Sequence, residues 1–136
     1  MKVKLDAGAY MPERAHDADA GYDLRSPIRD RLYAGEALTI DTGVHVAIPV
    51  GYAGFLKSKS GLNVKHDIVG EGVIDSGYTG SIRVKLYNHG RESYVIEKGD
   101  KISQLVILPI YTPNLELVSD LEETERGDGG FGSTGR

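Results

Sequence analysis

The segment RGDGGFGSTGR, residues 126 to 136, gathers five glycines, an arginine at each end, one aromatic and a Ser-Thr pair. Glycines let successive backbone N–H groups converge on an anion, and Ser133 and Thr134 add hydroxyl donors. Arg126 can grip two phosphate oxygens at once. Phe131, an aromatic among glycines, suits stacking on a base. Gly127, Gly129 and Gly132 fit G-x-G-x-x-G, but a dinucleotide fingerprint must open a helix, and only four residues follow. The same glycines have P-loop spacing, with Ser133 where that loop needs lysine. Two readings stay open from the tail alone: a frayed terminus, and a lid that orders over a ligand.

A lid needs a site. In EGVIDSGYTGSIRV, 71 to 84, apolar Val73 and Ile74 run into Asp75, and Ser76-Gly77 makes a turn before Tyr78. A carboxylate at a strand end can orient water as a general base, or simply serve the turn. In PVGYAGFLKSKSGLNVKH, 49 to 66, Lys57, Lys59 and Ser60-Gly61 combine two cations with a small-residue turn, which suits phosphate or an ordinary solvated strand face. Gln104 interrupts the apolar run 102 to 110, and a buried glutamine needs partners. Asp17, Asp19 and Asp23 cluster near Tyr22; an EF-hand is excluded, because Tyr22 sits where that loop needs glycine and Ile28 where it needs glutamate. The cluster reads either as a surface patch or as one carboxylate near a phosphate-bound magnesium ion.

These residues need a scaffold. A chain of 136 residues is most simply one domain, expected here as a body over 1–125 with an arm over 126–136. Leu38, Ile40, Val44, Val46 and Ile48 alternate with polar or small residues, with a break at Thr42-Gly43. Ile82, Val84 and Leu86 alternate likewise, and 102–110 reads as a strand buried on both faces. Turn signals stand at Pro49-Val50-Gly51, Asn88-His89-Gly90 and Lys98-Gly99-Asp100, and one short helix fits Gly61 to His66. The pattern predicts an all-β sandwich, jelly roll or barrel. The net charge of −4 argues against a general nucleic-acid-coating surface. With no cysteine, disulfides and thiolate metal sites are excluded. No apolar run has the length of a membrane span and no signal-peptide core is present, so the expected location is cytoplasmic.

In order, AGYDL (20–24), SKSGL (58–62), GVIDSGYTG (72–80), GDKISQL (99–105) and RGDGGFGSTG (126–135) resemble the five ordered motifs of the trimeric deoxyuridine triphosphatases, the dUTPases. The resemblance spans nearly the whole chain. It implies a jelly-roll subunit of the dUTPase-like β-clip type with a mobile glycine-rich arm. It implies hydrolysis of dUTP to dUMP and pyrophosphate with Mg2+, in a homotrimer whose sites lie between subunits. By the same resemblance, Asp75 orients the water that attacks the α-phosphorus, and the Tyr78 ring packs on the deoxyribose and excludes a 2′-hydroxyl. The backbone near Gly72 and Val73, within a hairpin, reads the uracil edge. Lys59, Ser60, Gly61 and Gln104 match phosphate-contacting positions, and Asp23 meets the metal through water. Arg126 binds phosphate, Phe131 covers the uracil, and Gly132, Ser133 and Thr134 complete the arm's contacts with the γ-phosphate end.

The family usually places arginine where Lys59 stands; lysine keeps the charge but loses the planar fork. Three alternatives have different signatures. A zinc deaminase lacks its P-C-x-x-C ligands here. A metal-free dCTP deaminase of the same fold would release ammonia from dCTP. A nucleotide-responsive binding protein would add a regulatory protein partner, as some phage-encoded relatives do.

Overall fold

The computed structural model describes residues 1 to 130; Phe131, Gly132, Ser133 and Thr134 lie outside the described residues. In chain order the elements are β1 (Lys2–Leu5), β2 (Gly21–Arg25), β3 (Asp30–Leu32), β4 (Ala37–Asp41), β5 (Val44–Ala47), β6 (Tyr52–Ser58), α1 (Ser60–His66), β7 (Ile68–Val69), β8 (Gly72–Ile74), β9 (Arg83–Asn88), β10 (Tyr94–Ile96) and β11 (Lys101–Pro109). The all-β expectation holds, with the single short helix where the sequence put it. No described helix is long and apolar enough to cross a membrane.

The larger sheet has the order β2-β11-β6-β8, and a second sheet the order β4-β9-β7. Two further pairs, β1 with β5 and β10 with β3, complete the described pairings, all antiparallel. Every sheet feeds one core, in which Leu24, Ile40, Leu56, Ile82, Leu86, Ile96 and Leu105 are almost wholly buried. β9 shows why: Val84, Leu86 and Asn88 point in while Arg83, Lys85 and Tyr87 point out, the period-2 pattern of a half-buried strand. Asn88 is tolerated inside because its amide donates to the Leu32 and Glu92 carbonyls and accepts from the Gly90 N–H.

β11 corrects the expectation of a strand buried on both faces. Ile102, Ser103 and Leu105 are buried, but Leu108 and Pro109 are exposed. Its register on β2 shifts between Lys101 and Ser103, a bulge that breaks the alternation. The acidic cluster also separates: Asp17 is exposed and Asp19 half-buried, whereas Asp23 is buried on β2.

Candidate active site

β8 lies on β6 with Gly54 opposite Ile74, and Asp75 is the first residue past the strand, exposed. The Tyr78 N–H donates to the Asp75 carbonyl at 3.0 Å, closing a tight turn between the two residues. The Tyr78 hydroxyl donates to the Ser81 carbonyl at 2.8 Å, folding the ring back over Gly80. That packing requires glycine: a Cβ at position 80 would stand 2.5 Å from the Tyr78 oxygen and 2.6 Å from Cζ. Beyond the ring, Ile82 is fully buried, and the Thr42 hydroxyl donates to its carbonyl at 2.7 Å while accepting from the Val44 N–H. The Thr42-Gly43 break thus anchors the far end of this loop. β8 pairs with β6, whereas β9 pairs with β4 and β7. Residues 72–83 therefore bridge two sheets instead of pairing as the hairpin expected around Gly72 and Val73. Gly72 is half-buried over Leu56, and the Val73 side chain faces solvent.

A second cluster forms where β2, β11 and β6 run side by side. Gln104 stands opposite Asp23 on one flank and Lys57 on the other. The Asp23 carboxylate accepts from Lys59 Nζ and Lys101 Nζ, both at 2.6 Å, and from Gln104 Nε2 at 3.4 Å. Burial pushes the Asp23 carboxyl up, but the Lys101 and Lys59 hydrogen bonds and charges outweigh it and hold the carboxyl below its ordinary value. Lys57 reaches outward to Glu71 at 2.7 Å.

Lys59 precedes the first turn of α1, and Ser60 and Gly61 open it, exposed. The Ser58 hydroxyl both donates to the Gly70 carbonyl and accepts from the Gly70 N–H, so the end of β6 is fixed before Ser60 begins. Next to it a cleft of about 270 Å³ is lined by Lys59, Gly61, Lys65 and Lys101 among others, a cationic floor suited to phosphate. Lys101 and Lys65 had drawn no attention in the sequence. A strand puts residues three apart on opposite faces, so Lys101 and Gln104 reach one carboxylate only because of the bulge between them.

The described residues contain no group of three His, Asp or Glu side chains able to cage a metal. Both Asp23 oxygens already meet ammonium groups, so this donor set suits a metal carried in by phosphates and touched through water, not a resident ion. Arg126 is exposed and turned on itself, its Nε donating to the Gly129 carbonyl at 3.0 Å.

The structure thus groups Asp75 with Tyr78, and Asp23 with Lys59, Gln104 and Lys101, but not the two groups with each other. Asp75 lies past the Gly54 end of β6 and Lys59 past its Ser58 end. Between those rows runs roughly 13 Å of strand, at about 3.3 Å per residue.

The dUTPase family model matches residues 7–135. The chain is similar to the deoxyuridine 5'-triphosphate nucleotidohydrolase of Clostridium acetobutylicum, 42% identical over 97% of this chain and 93% of that protein. It is also similar to the dUTPase of Staphylococcus bacteriophage 80alpha solved with dUPNHPP, at 39% identity and a TM-score of 0.93 over 99% of this chain and 98% of that one. A point mutant of the dUTPase from phage phi11 of S. aureus, described with a structural Mg(II) ion, has 36% identity and a TM-score of 0.83 over 90% of this chain and 98% of that one. Similarity of this depth, running through every motif segment, shows that the chain belongs to the dUTPase family.

Proposed function

We propose that this chain hydrolyses dUTP to dUMP and pyrophosphate in the cytoplasm, as a homotrimer with shared sites. The observation that carries the reading is the loop after β8. It offers an exposed carboxylate three residues from a tyrosine whose ring is braced on Gly80. In this reading Asp75 orients and deprotonates the water that attacks the α-phosphorus. The Tyr78 ring packs against the deoxyribose and leaves no room for a 2′-hydroxyl. The Gly72-Val73 backbone reads the uracil edge; cytosine would leave a buried group unpaired there, at about 1–3 kcal/mol. Lys59, Ser60, Gly61 and Gln104 receive the phosphates. Arg126 and the arm residues Phe131, Gly132, Ser133 and Thr134 close over them, with 126–136 acting as the phosphate-binding arm of the same domain as the body. Mg2+ arriving on the triphosphate would add charge neutralisation, with Asp23 contacting it through water.

Two features favour a shared site. The Asp75 and Lys59 groups stand apart along β6, which leaves room for a second protomer to complete the site at either group. After β11 the chain carries Tyr111, Leu115, Leu117 and Leu121 almost bare to solvent, an apolar run that a lone protomer has no reason to expose.

Incubation with dUTP, dCTP, dTTP and UTP plus Mg2+, with product identification, tests the activity. The expected outcome is dUMP and pyrophosphate from dUTP with little from the rest. Ammonia from dCTP would establish the deaminase alternative. A monomer in sedimentation at working concentration would overturn the shared site.

A further inference from the structure

His45 lies on β5, directly opposite Lys4 of β1. Its imidazole is about one-sixth exposed and spans two partners. Nδ1 meets the Thr79 carbonyl at 2.8 Å, and Nε2 meets Asp6 Oδ2 at 3.0 Å. Both partners only accept: a main-chain carbonyl and a carboxylate. A neutral imidazole has one N–H, so both contacts are hydrogen bonds only when the ring is the imidazolium. With one proton gone, a ring lone pair must face an oxygen lone pair, and one contact fails.

Thr79 is the residue after Tyr78. The turn and the Tyr78–Ser81 bond tie the loop to itself. Towards the body it is tied by Ser81 to Asp41, by Ile82 to Thr42 and Val44, and by Thr79 to His45. Among the described residues, the His45 bond is the one nearest Tyr78 along the chain.

We propose that His45 is a positioning residue for the sugar-discriminating face of the site: its imidazolium ties the Thr79 carbonyl to β5, and loss of its proton loosens the peptide that aims Tyr78. The inference rests on the function proposed above.

The charged surroundings agree. The Asp6 hydrogen bond, then the Thr79 carbonyl, favour the charged ring and raise His45 above 6.5, against some burial and against Lys4. Lys4 Nζ lies 3.8 Å from Asp6 Oδ1, and Lys2 lines the same shallow cleft. The loop itself presents a neutral carbonyl. With the folded value raised, the tie is complete below 6.5 and is lost as pH rises through the folded value.

The test combines substrate-free and kinetic readouts. NMR titration of the His45 ring should place its midpoint above 6.5 in the wild type and lower it in Asp6→Asn. Amide exchange of residues 76–82, corrected for intrinsic rates, should quicken above that midpoint. The ratio of kcat/KM for dUTP over UTP cancels the titration of the general base, which both substrates share. That ratio should fall roughly 3- to 10-fold as pH rises through the midpoint, the scale of one lost hydrogen bond. His45→Ala should show the low ratio at every pH. His45→Asn, whose amide nitrogen can replace Nδ1 without titrating, should hold a high, flat ratio. An ordinary histidine midpoint, or His45→Ala with the wild-type ratio and pH profile, overturns the inference. Wild-type protein that leaves dUTP intact refutes the proposed function instead, while the ring titration and amide exchange still decide whether His45 holds the loop.

Discussion

At the residue scale, the chemistry depends on side chains that contribute little to folding. Asp75 is exposed, and among the described residues its carboxylate has no hydrogen bond. Asp75→Asn should therefore leave the melting temperature unchanged and KM near its original value, while kcat falls roughly 10²–10⁴-fold, the usual worth of a general base. Comparable loss in both constants, with a lowered melting temperature, would mean that the residue is structural. Gly80 is a sharper case. Its backbone lies outside the left-handed region, so alanine is permitted there, but the new Cβ would press on the Tyr78 ring. The ring is exposed and can swing aside. Gly80→Ala should keep the fold and let UTP compete about tenfold better, equivalent to about 1.4 kcal/mol in the discrimination. Competition kinetics would measure it. The strand-end place of Asp75 was legible from the two apolar residues before it and the Ser-Gly turn after it, whereas its role and that of Tyr78 came from the resemblance. Gly80 was not legible, because its constraint is a contact made by the folded ring.

At the element scale, alternation disclosed β4, β5 and β9, where burial follows side-chain parity over four residues or more, and a continuous apolar run disclosed β11. β3, β7 and β10 have two or three residues each, too few for parity to register. β2 was hidden for another reason: Asp23 looks like a surface acid beside Asp17 and Asp19, and only the pairing with β11 makes it an inward-facing residue. Its burial needs Lys59 and Lys101 together, one from the start of α1 and one brought over by the β11 bulge. Asp23→Asn removes the common partner of both. The lysines are partly exposed and can turn to water, so the expected loss is about 1–3 kcal/mol in urea unfolding, below that of a fully buried pair. The pH dependence has a definite sign. The folded Asp23 value lies below 3.8, so its stabilisation is fully present above that pH and disappears as pH falls through the folded value. The gap between wild type and Asp23→Asn should narrow over that acid window and stay constant at neutral pH. A gap indifferent to acid would mean that the pair contributes through packing alone.

At the scale of the whole molecule, the body and the segment beyond β11 divide the labour. The buried core ends with Leu105, and Ile107 is the last apolar side chain packed against it. Ile110 then donates its N–H to the Gly51 carbonyl, and from Tyr111 to Asp128 the residues are exposed. No periodicity foretold this, since Leu115, Leu117 and Val118 read as ordinary apolar residues and their lack of cover is a property of the isolated protomer. Two truncations separate the roles. Ending the chain after Glu125 removes Arg126 and the glycine segment but keeps the apolar run, so the protein should stay trimeric while dUTP turnover collapses. Ending it after Pro109 removes the apolar run as well. The whole core remains, so this body should unfold cooperatively and yet sediment as a monomer, with the Asp75 and Lys59 groups stranded at opposite ends of β6. A trimer that survives the shorter truncation would assign assembly to the sheets instead. Full activity in the longer one would remove the arm from the chemistry.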